Sequence, residues 1–147
     1  MEDTFHMLLY RTVHAERGYL RSFLGESGLG AGQPKLLVYL EGQGPCSQRE
    51  LAEYFAIDPA AVSRMLCTME KGGFVVRKTN QESRRSDFIE LTERGAQYAK
   101  IWRENYKKME GIMLEGFTLE ERERFADFLS RAYLNFQTGK GEASCGI

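Results

Sequence analysis

Six basic side chains fall in one short stretch: Arg64, Lys71, Arg77, Lys78, Arg84 and Arg85, opposed only by Glu70 and Glu82. The whole chain carries a formal charge of −1, from 20 basic and 21 acidic residues. The local excess, not the total, is what can meet a polyanion. Inside the stretch, Val62, Met65, Leu66 and Met69 follow the i, i+3, i+4, i+7 rule of a helix with one buried side. Turning that stripe inward leaves Ala60, Ala61, Ser63, Arg64, Cys67, Thr68 and Lys71 outward. These are residue types that read base edges. Arg64 can donate to guanine O6 and N7 or to a phosphate, Ser63 and Thr68 can donate or accept, and alanine methyls can touch a thymine methyl. Small residues at the helix start let it sit deep in a major groove, and its free N–H groups can hold a phosphate.

The remaining basic groups sit on a predicted hairpin. Residues 74–78 and 87–91 are β-rich, and the polar segment between them ends in Arg84 and Arg85. Arginines on such a tip can follow the sugar-phosphate backbone or enter a narrow minor groove.

Other chemistries lack their parts. There is no phosphate-cradling glycine loop and no Ser/His/acid set, so an enzyme is not expected. Three scattered cysteines, Cys46, Cys67 and Cys145, and two histidines, His6 and His14, form no Cys/His zinc pattern and no disulfide framework. No metal or cofactor is expected, and free thiols suit a reducing cytoplasm. No apolar run is long enough to span a bilayer, and the acidic N-terminus is not a signal peptide. The hydrophobic share of 42% in 147 residues suffices for an ordinary core.

The elements that must position these groups follow from caps and breakers. Apolar residues at helical spacing predict a helix over 4–24, ended by the glycines of 25–32. Pro34 opens a second helix over about 33–41. Ser47-Gln48-Arg49-Glu50 is a capping box for a third over 48–55. Asp58-Pro59 starts the fourth, which ends at Gly72-Gly73. Thr92 caps a fifth helix to about Leu114, with Gly95 a weak point inside it. Thr118 and Glu121 form a second capping box, and the last helix runs to about Gln137. Residues 138–147 are predicted to be a disordered tail. The result is a mainly α fold with a small β-wing: a winged helix-turn-helix, with Ser47 and Gln48 at the motif's start. Ala56 stands in a turn where glycine is common in such motifs.

In this order of motifs the chain resembles the MarR family of bacterial regulators. The likeness rests on Leu29, Gln33, Leu37 and Leu40, then Ser47 to Ala52, then Val62 to Leu66 and Met69 to Val75. It closes with Arg84-Arg85, Ile89 and Leu91-Thr92-Glu93-Arg94-Gly95. It covers about residues 5–137. The resemblance implies one domain over 1–137, with a DNA-binding lobe at about 33–92 and dimerisation helices at about 4–24 and 92–137. It also implies a homodimer, double-stranded DNA with a pseudo-palindromic operator as partner, and repression. Phe5, Phe125, Phe128, Tyr133 and Phe136 then serve the dimer, the alternative being that they fill the monomer core. The wing departs from the family by carrying Ser83 where an acid is frequent.

The resemblance further implies a small aromatic effector in a cleft, for which Tyr10, His14, Arg17, Tyr39 and Tyr54 are the candidates. Peroxide-sensing relatives use a cysteine in the first helix, and this chain has none there. A redox-responsive regulator would rely on Cys67 on the groove side of the fourth helix. Cys46 precedes a helix start, which can lower a thiol pKa. A winged helix used for protein contacts is the other alternative.

Overall fold

The computed structural model describes residues 4–79 and 87–139. The elements are α1 (Phe5–Arg21), α2 (Pro34–Gln43), β1 (Cys46–Ser47), α3 (Gln48–Phe55), α4 (Pro59–Lys71), β2 (Val75–Thr79), β3 (Asp87–Leu91), α5 (Glu93–Met113) and α6 (Leu119–Gly139). The chain divides into two compact units, one ending at Glu110 and the other beginning at Gly111. The mainly helical, winged architecture expected from the sequence is the one observed.

Local chemistry sets the boundaries of the motif. The Ser47 hydroxyl accepts from the Glu50 N–H at 3.1 Å, and the Glu50 carboxylate accepts from the Ser47 N–H at 2.6 Å. Asp58 accepts from the Ala60 N–H, and Pro59 needs no partner for a nitrogen that carries no hydrogen. One element escaped the sequence. Cys46–Ser47 pairs antiparallel with β3, so the hairpin is part of a three-stranded sheet in the order β1-β3-β2. Two residues are too few to show strand alternation. The tail also differs from expectation: α6 continues to Gly139, and the Thr138 hydroxyl donates back to the Leu134 and Asn135 carbonyls. Residues 140–147 lie outside the described part.

The core of the first unit gathers one side of α2, α3, α4 and α5 around the sheet. Leu36, Leu37 and Leu40 of α2, Leu51 of α3, Val62, Leu66 and Met69 of α4, Ile89 of β3 and Trp102 of α5 are buried. Each such aliphatic side chain contributes ~1.5–3 kcal/mol by leaving water. The buried stripe of α4 fixes which side of the helix faces out.

Gly95 is not a weak point. A Cβ there would lie 2.0 Å from the Phe74 carbonyl oxygen, so only glycine lets α5 approach that backbone. The Thr92 hydroxyl reinforces the joint. It stands 2.6 Å from the Gly73 carbonyl and accepts from the Gly95 N–H at 3.0 Å, while the Thr92 N–H donates to the Phe74 carbonyl. Arg94 lies over the rings of Phe74 and Tyr98 and donates to the Ser27 carbonyl at 3.2 Å.

The second unit takes the last residues of α5, the turn after it and α6. Thr118 and Glu121 form the expected reciprocal cap, and the Arg122 guanidinium donates to the Leu114 carbonyl at 3.0 Å. No residue of α6 is buried, and none of α1 in the first unit.

Helices α3 and α4 end in the same turn geometry. At α4, the Phe74 N–H reaches Met69 and the Gly73 N–H reaches Glu70, with Gly73 at φ 78°. At α3, the Ile57 N–H reaches Ala52 and the Ala56 N–H reaches Glu53, but the left-handed residue is Ala56 at φ 52°. A Cβ in that conformation costs ~1–2 kcal/mol. Ala56→Gly is therefore expected to raise stability by about 1 kcal/mol, part of the relief being offset by the greater freedom of glycine when unfolded. Urea unfolding at fixed protein concentration checks this, and a loss of stability would contradict it.

Candidate nucleic-acid interface

Helix α4 presents its predicted outer side to solvent. Ala60, Arg64, Cys67, Thr68 and Lys71 are exposed, while Ala61 and Ser63 are half-buried at the edge of the stripe. The Thr68 hydroxyl donates to the Arg64 carbonyl at 3.1 Å. Its proton is committed to its own helix, so towards a base it is an acceptor. The six basic residues of the stretch do not act alike. Lys78 pairs with Glu90 across the sheet at 2.7 Å, and Arg77 donates to the Gln48 side chain at 3.2 Å. Arg64 and Lys71 remain on the outer face of α4. Arg84 and Arg85 lie outside the described residues.

Ser47 and Gln48 sit where β1 meets α3. Ser47 is occupied by its capping role. Gln48 bridges two elements: its amide oxygen accepts from Arg77 on β2, and its Nε2 donates to the Pro59 carbonyl at 3.4 Å at the start of α4. Sequence spacing gave Gln48 only a place at the motif's start, and Arg77 only a share of the charge.

The five residues expected to line one effector cleft do not converge. Tyr10 and His14 stack on exposed α1 with ring centroids 6.0 Å apart. Tyr39 and Tyr54 meet at 4.4 Å and enclose Phe55. Only Arg17 of the five lines a cleft of about 500 Å³ whose other walls include Glu16, Leu20, Gly32, Lys35, Trp102 and Tyr106. Helical periodicity on α1 could not show which turn faces a neighbour 80 residues away. Burial, then the Arg17 charge, lowers the Lys35 pKa from its ordinary value, with Glu16 opposing. The Lys35 ammonium also lies 5.4 Å from the centroid of the Phe55 ring, so it joins the cleft to the aromatic group. Burial, and secondarily the Glu16 charge, pushes the Tyr106 phenol up to about 12.

Among the described residues no cluster of His, Cys, Asp and Glu could hold a metal, and no helix is long and apolar enough to cross a membrane.

The two described cysteines differ in kind. Cys67 is exposed on α4, whereas Cys46 is buried in β1. Burial, then the Glu50 charge, pushes the Cys46 thiol up to about 11. This reverses the effect expected from its place before a helix, because desolvation of the thiolate outweighs the helix dipole. The native state keeps a proton that the unfolded chain loses near 9.0, so this contribution to stability falls as pH rises from about 9 towards about 11. Iodoacetamide at pH 8 is expected to label Cys67 readily and Cys46 only after denaturation, as read by peptide mass mapping. Equal labelling of both in the native protein would contradict this.

Comparison with known proteins agrees with the geometry. The model of the MarR family matches residues 29–86, which span the helix-turn-helix and the first wing strand. The chain is 30% identical over 105 residues to the HTH-type transcriptional regulator YdgJ of Bacillus subtilis, covering 71% of this chain and 64% of that relative, a little under two thirds of its length. It is 26% identical to the crystal structure of MarR, with a TM-score of 0.79 and 96% of each chain covered. It shares the fold, at 23% identity and a TM-score of 0.88 over 99% of this chain and 97% of the other, with a MarR family transcriptional regulator from Listeria monocytogenes complexed with a 26mer DNA. With the helix-turn-helix and the Leu91–Gly95 joint in place, residues 29–86 match the MarR family model, and the chain is similar along its length to transcriptional regulators of that family.

Proposed function

We propose that the chain is a cytoplasmic, sequence-specific DNA-binding regulator that acts as a homodimer and represses from a pseudo-palindromic operator. The observation that carries this is the division of α4 into a buried side, seated against the sheet and α3, and an open side of Arg64, Thr68, Lys71 and small residues. Arg64 reads a base or phosphate, the alanines allow close approach, and Arg84 and Arg85 of the wing follow the backbone. The DNA-reading lobe spans about residues 33–92. The dimer reading is supported by the aromatic residues of α1 and α6. Phe5 is 78% and Phe136 75% exposed, and Phe125, Phe128 and Tyr133 are exposed too, so none of them is buried within its own unit. Apolar faces of this extent call for a partner, and a second copy supplies the matching surface.

Arg64→Ala is expected to weaken binding by ~1–3 kcal/mol and relax base preference. Arg85→Ala is expected to weaken binding to all duplexes alike and to flatten the salt dependence by about one counterion. Fluorescence anisotropy across salt distinguishes the two, and unchanged affinity in Arg64→Ala would remove it from the interface.

The regulation we propose is relief of repression by a small aromatic anion in the cleft of α1, α2 and α5. Three cations, Arg17, Arg21 and Lys35, line it with Trp102 and Tyr106 against one carboxylate, Glu16, which offers net positive charge and a ring face together. Trp102 is the single tryptophan of the chain, so its fluorescence reports occupancy. Titration with benzoate is expected to change that emission, and Lys35→Met to weaken binding about tenfold. Affinity should fall as pH rises through the lowered Lys35 pKa, because the bound anion favours the charged ammonium. Emission insensitive to benzoate would count against an anion site. A redox route through Cys67 stays a second reading, favoured by its exposure on the open side of α4.

A further inference from the structure

Most of the DNA-reading surface is described by what faces outward. The Gln48 amide faces inward between two reading elements. Its oxygen accepts a hydrogen bond from Arg77, in the middle of β2, and its nitrogen donates one to the Pro59 carbonyl, in the first turn of α4. The two partners have opposite demands. A guanidinium only donates and a carbonyl only accepts, so the group between them must do both. An amide meets this in one orientation. A carboxylate would set an oxygen against the Pro59 carbonyl, and an apolar side chain of the same length would leave both partners without it. Gln48 is half-buried, and so is Arg77, so their contact is partly shielded from competing water, while the one to Pro59 is exposed.

The backbone route between β2 and α4 runs through the Gly72-Gly73 turn at the far end of the helix from Pro59. The near end, which carries Ala60, Ala61, Ser63 and Arg64, reaches the sheet along the chain only through α3 and β1. Gln48 of α3 adds a hydrogen-bonded tie from that end to β2. We propose that Gln48 is a positioning residue for DNA reading: with Arg77 it clasps wing strand β2 to the first turn of α4, so that the base-reading turn and the wing present one rigid surface. Arg77 is then a structural cation, held by Gln48, and not a phosphate contact of its own. This inference rests on the DNA-binding role proposed above.

The test compares Gln48→Met, Gln48→Glu, Arg77→Met and the Gln48→Met/Arg77→Met double variant with the unaltered protein. The probes are a duplex selected by the unaltered protein from a random pool and a scrambled duplex of equal length. Gln48→Met is expected to lower the ratio of affinities for the two duplexes about tenfold. Its slope of log affinity against log salt should stay unchanged, because no phosphate contact is lost. Gln48→Glu keeps an acceptor for Arg77 but repels the Pro59 carbonyl, so it should fall between the two. Arg77→Met should match Gln48→Met, and the double variant should be no worse than either single one, the mark of one coupled unit. Thermal melts show whether Gln48→Met folds. If it does not, Gln48→Glu and Arg77→Met decide by the same ratio and slope.

A salt slope reduced by about one in Arg77→Met, with additive losses in the double variant, would make Arg77 a direct phosphate contact and overturn the clasp. So would an unaltered ratio in Gln48→Met. If the unaltered protein preferred no duplex, the DNA-binding proposal would fall and the clasp with it. A clear preference by the unaltered protein that Gln48→Met retained would overturn the clasp alone.

Discussion

The approach of Gly95 to the Phe74 carbonyl is the constraint on which the reading surface depends. Phe74 ends the turn that closes α4, precedes β2, and is itself buried. A side chain at residue 95 would push α5 away from it. Thr92 ties the same backbone from the other side, with its hydroxyl beside the Gly73 and Phe74 carbonyls. Helix α4, strand β2 and α5 therefore meet at one joint, a few residues wide. The outward aim of α4 follows from it, because a helix whose C-terminal end is fixed and whose Val62, Leu66 and Met69 are buried cannot rotate freely.

The cleft proposed to take the effector lies close to the same helix. Gly32 walls the cleft, and a Cβ on it would be 3.3 Å from the Met65 methyl of α4. The loop that carries Gly32 is also held near Ser27 by Arg94, which rests on Phe74. A ligand that favours one arrangement of this loop over another can thus bias α4, by as much as its affinities for the two arrangements differ. Lys35, lowered in pKa by burial and by Arg17, stores an electrostatic cost that an anion would relieve.

Elements defined by local chemistry were legible in the sequence. The Ser47 and Thr118 capping boxes, Asp58-Pro59 and the Gly72-Gly73 stop each depend on residues within four positions of one another, and the helices begin or end at them. The outward face of α4 was legible because its buried stripe keeps strict helical spacing. What depends on distant partners was not. Strand β1 exists because β3 lies beside it, and the cleft joins Arg17 to Trp102 across six other elements. Gly95 looked like a defect in a helix because the atom that demands it belongs to Phe74. The clasp of Arg77 on Gln48 spans 29 residues and leaves no periodic trace.

The central claim, that α4 reads DNA from a two-fold dimer, is tested most directly by selecting binding sites from a random duplex pool with the intact protein. Two α4 helices related by a two-fold axis require a pseudo-palindrome whose half-sites are centred about one turn apart, ~10–10.5 base pairs. Enrichment of such a site, bound by two chains per duplex, is the expected result. Recovery of no enriched sequence, with no binding even at low salt, would contradict it.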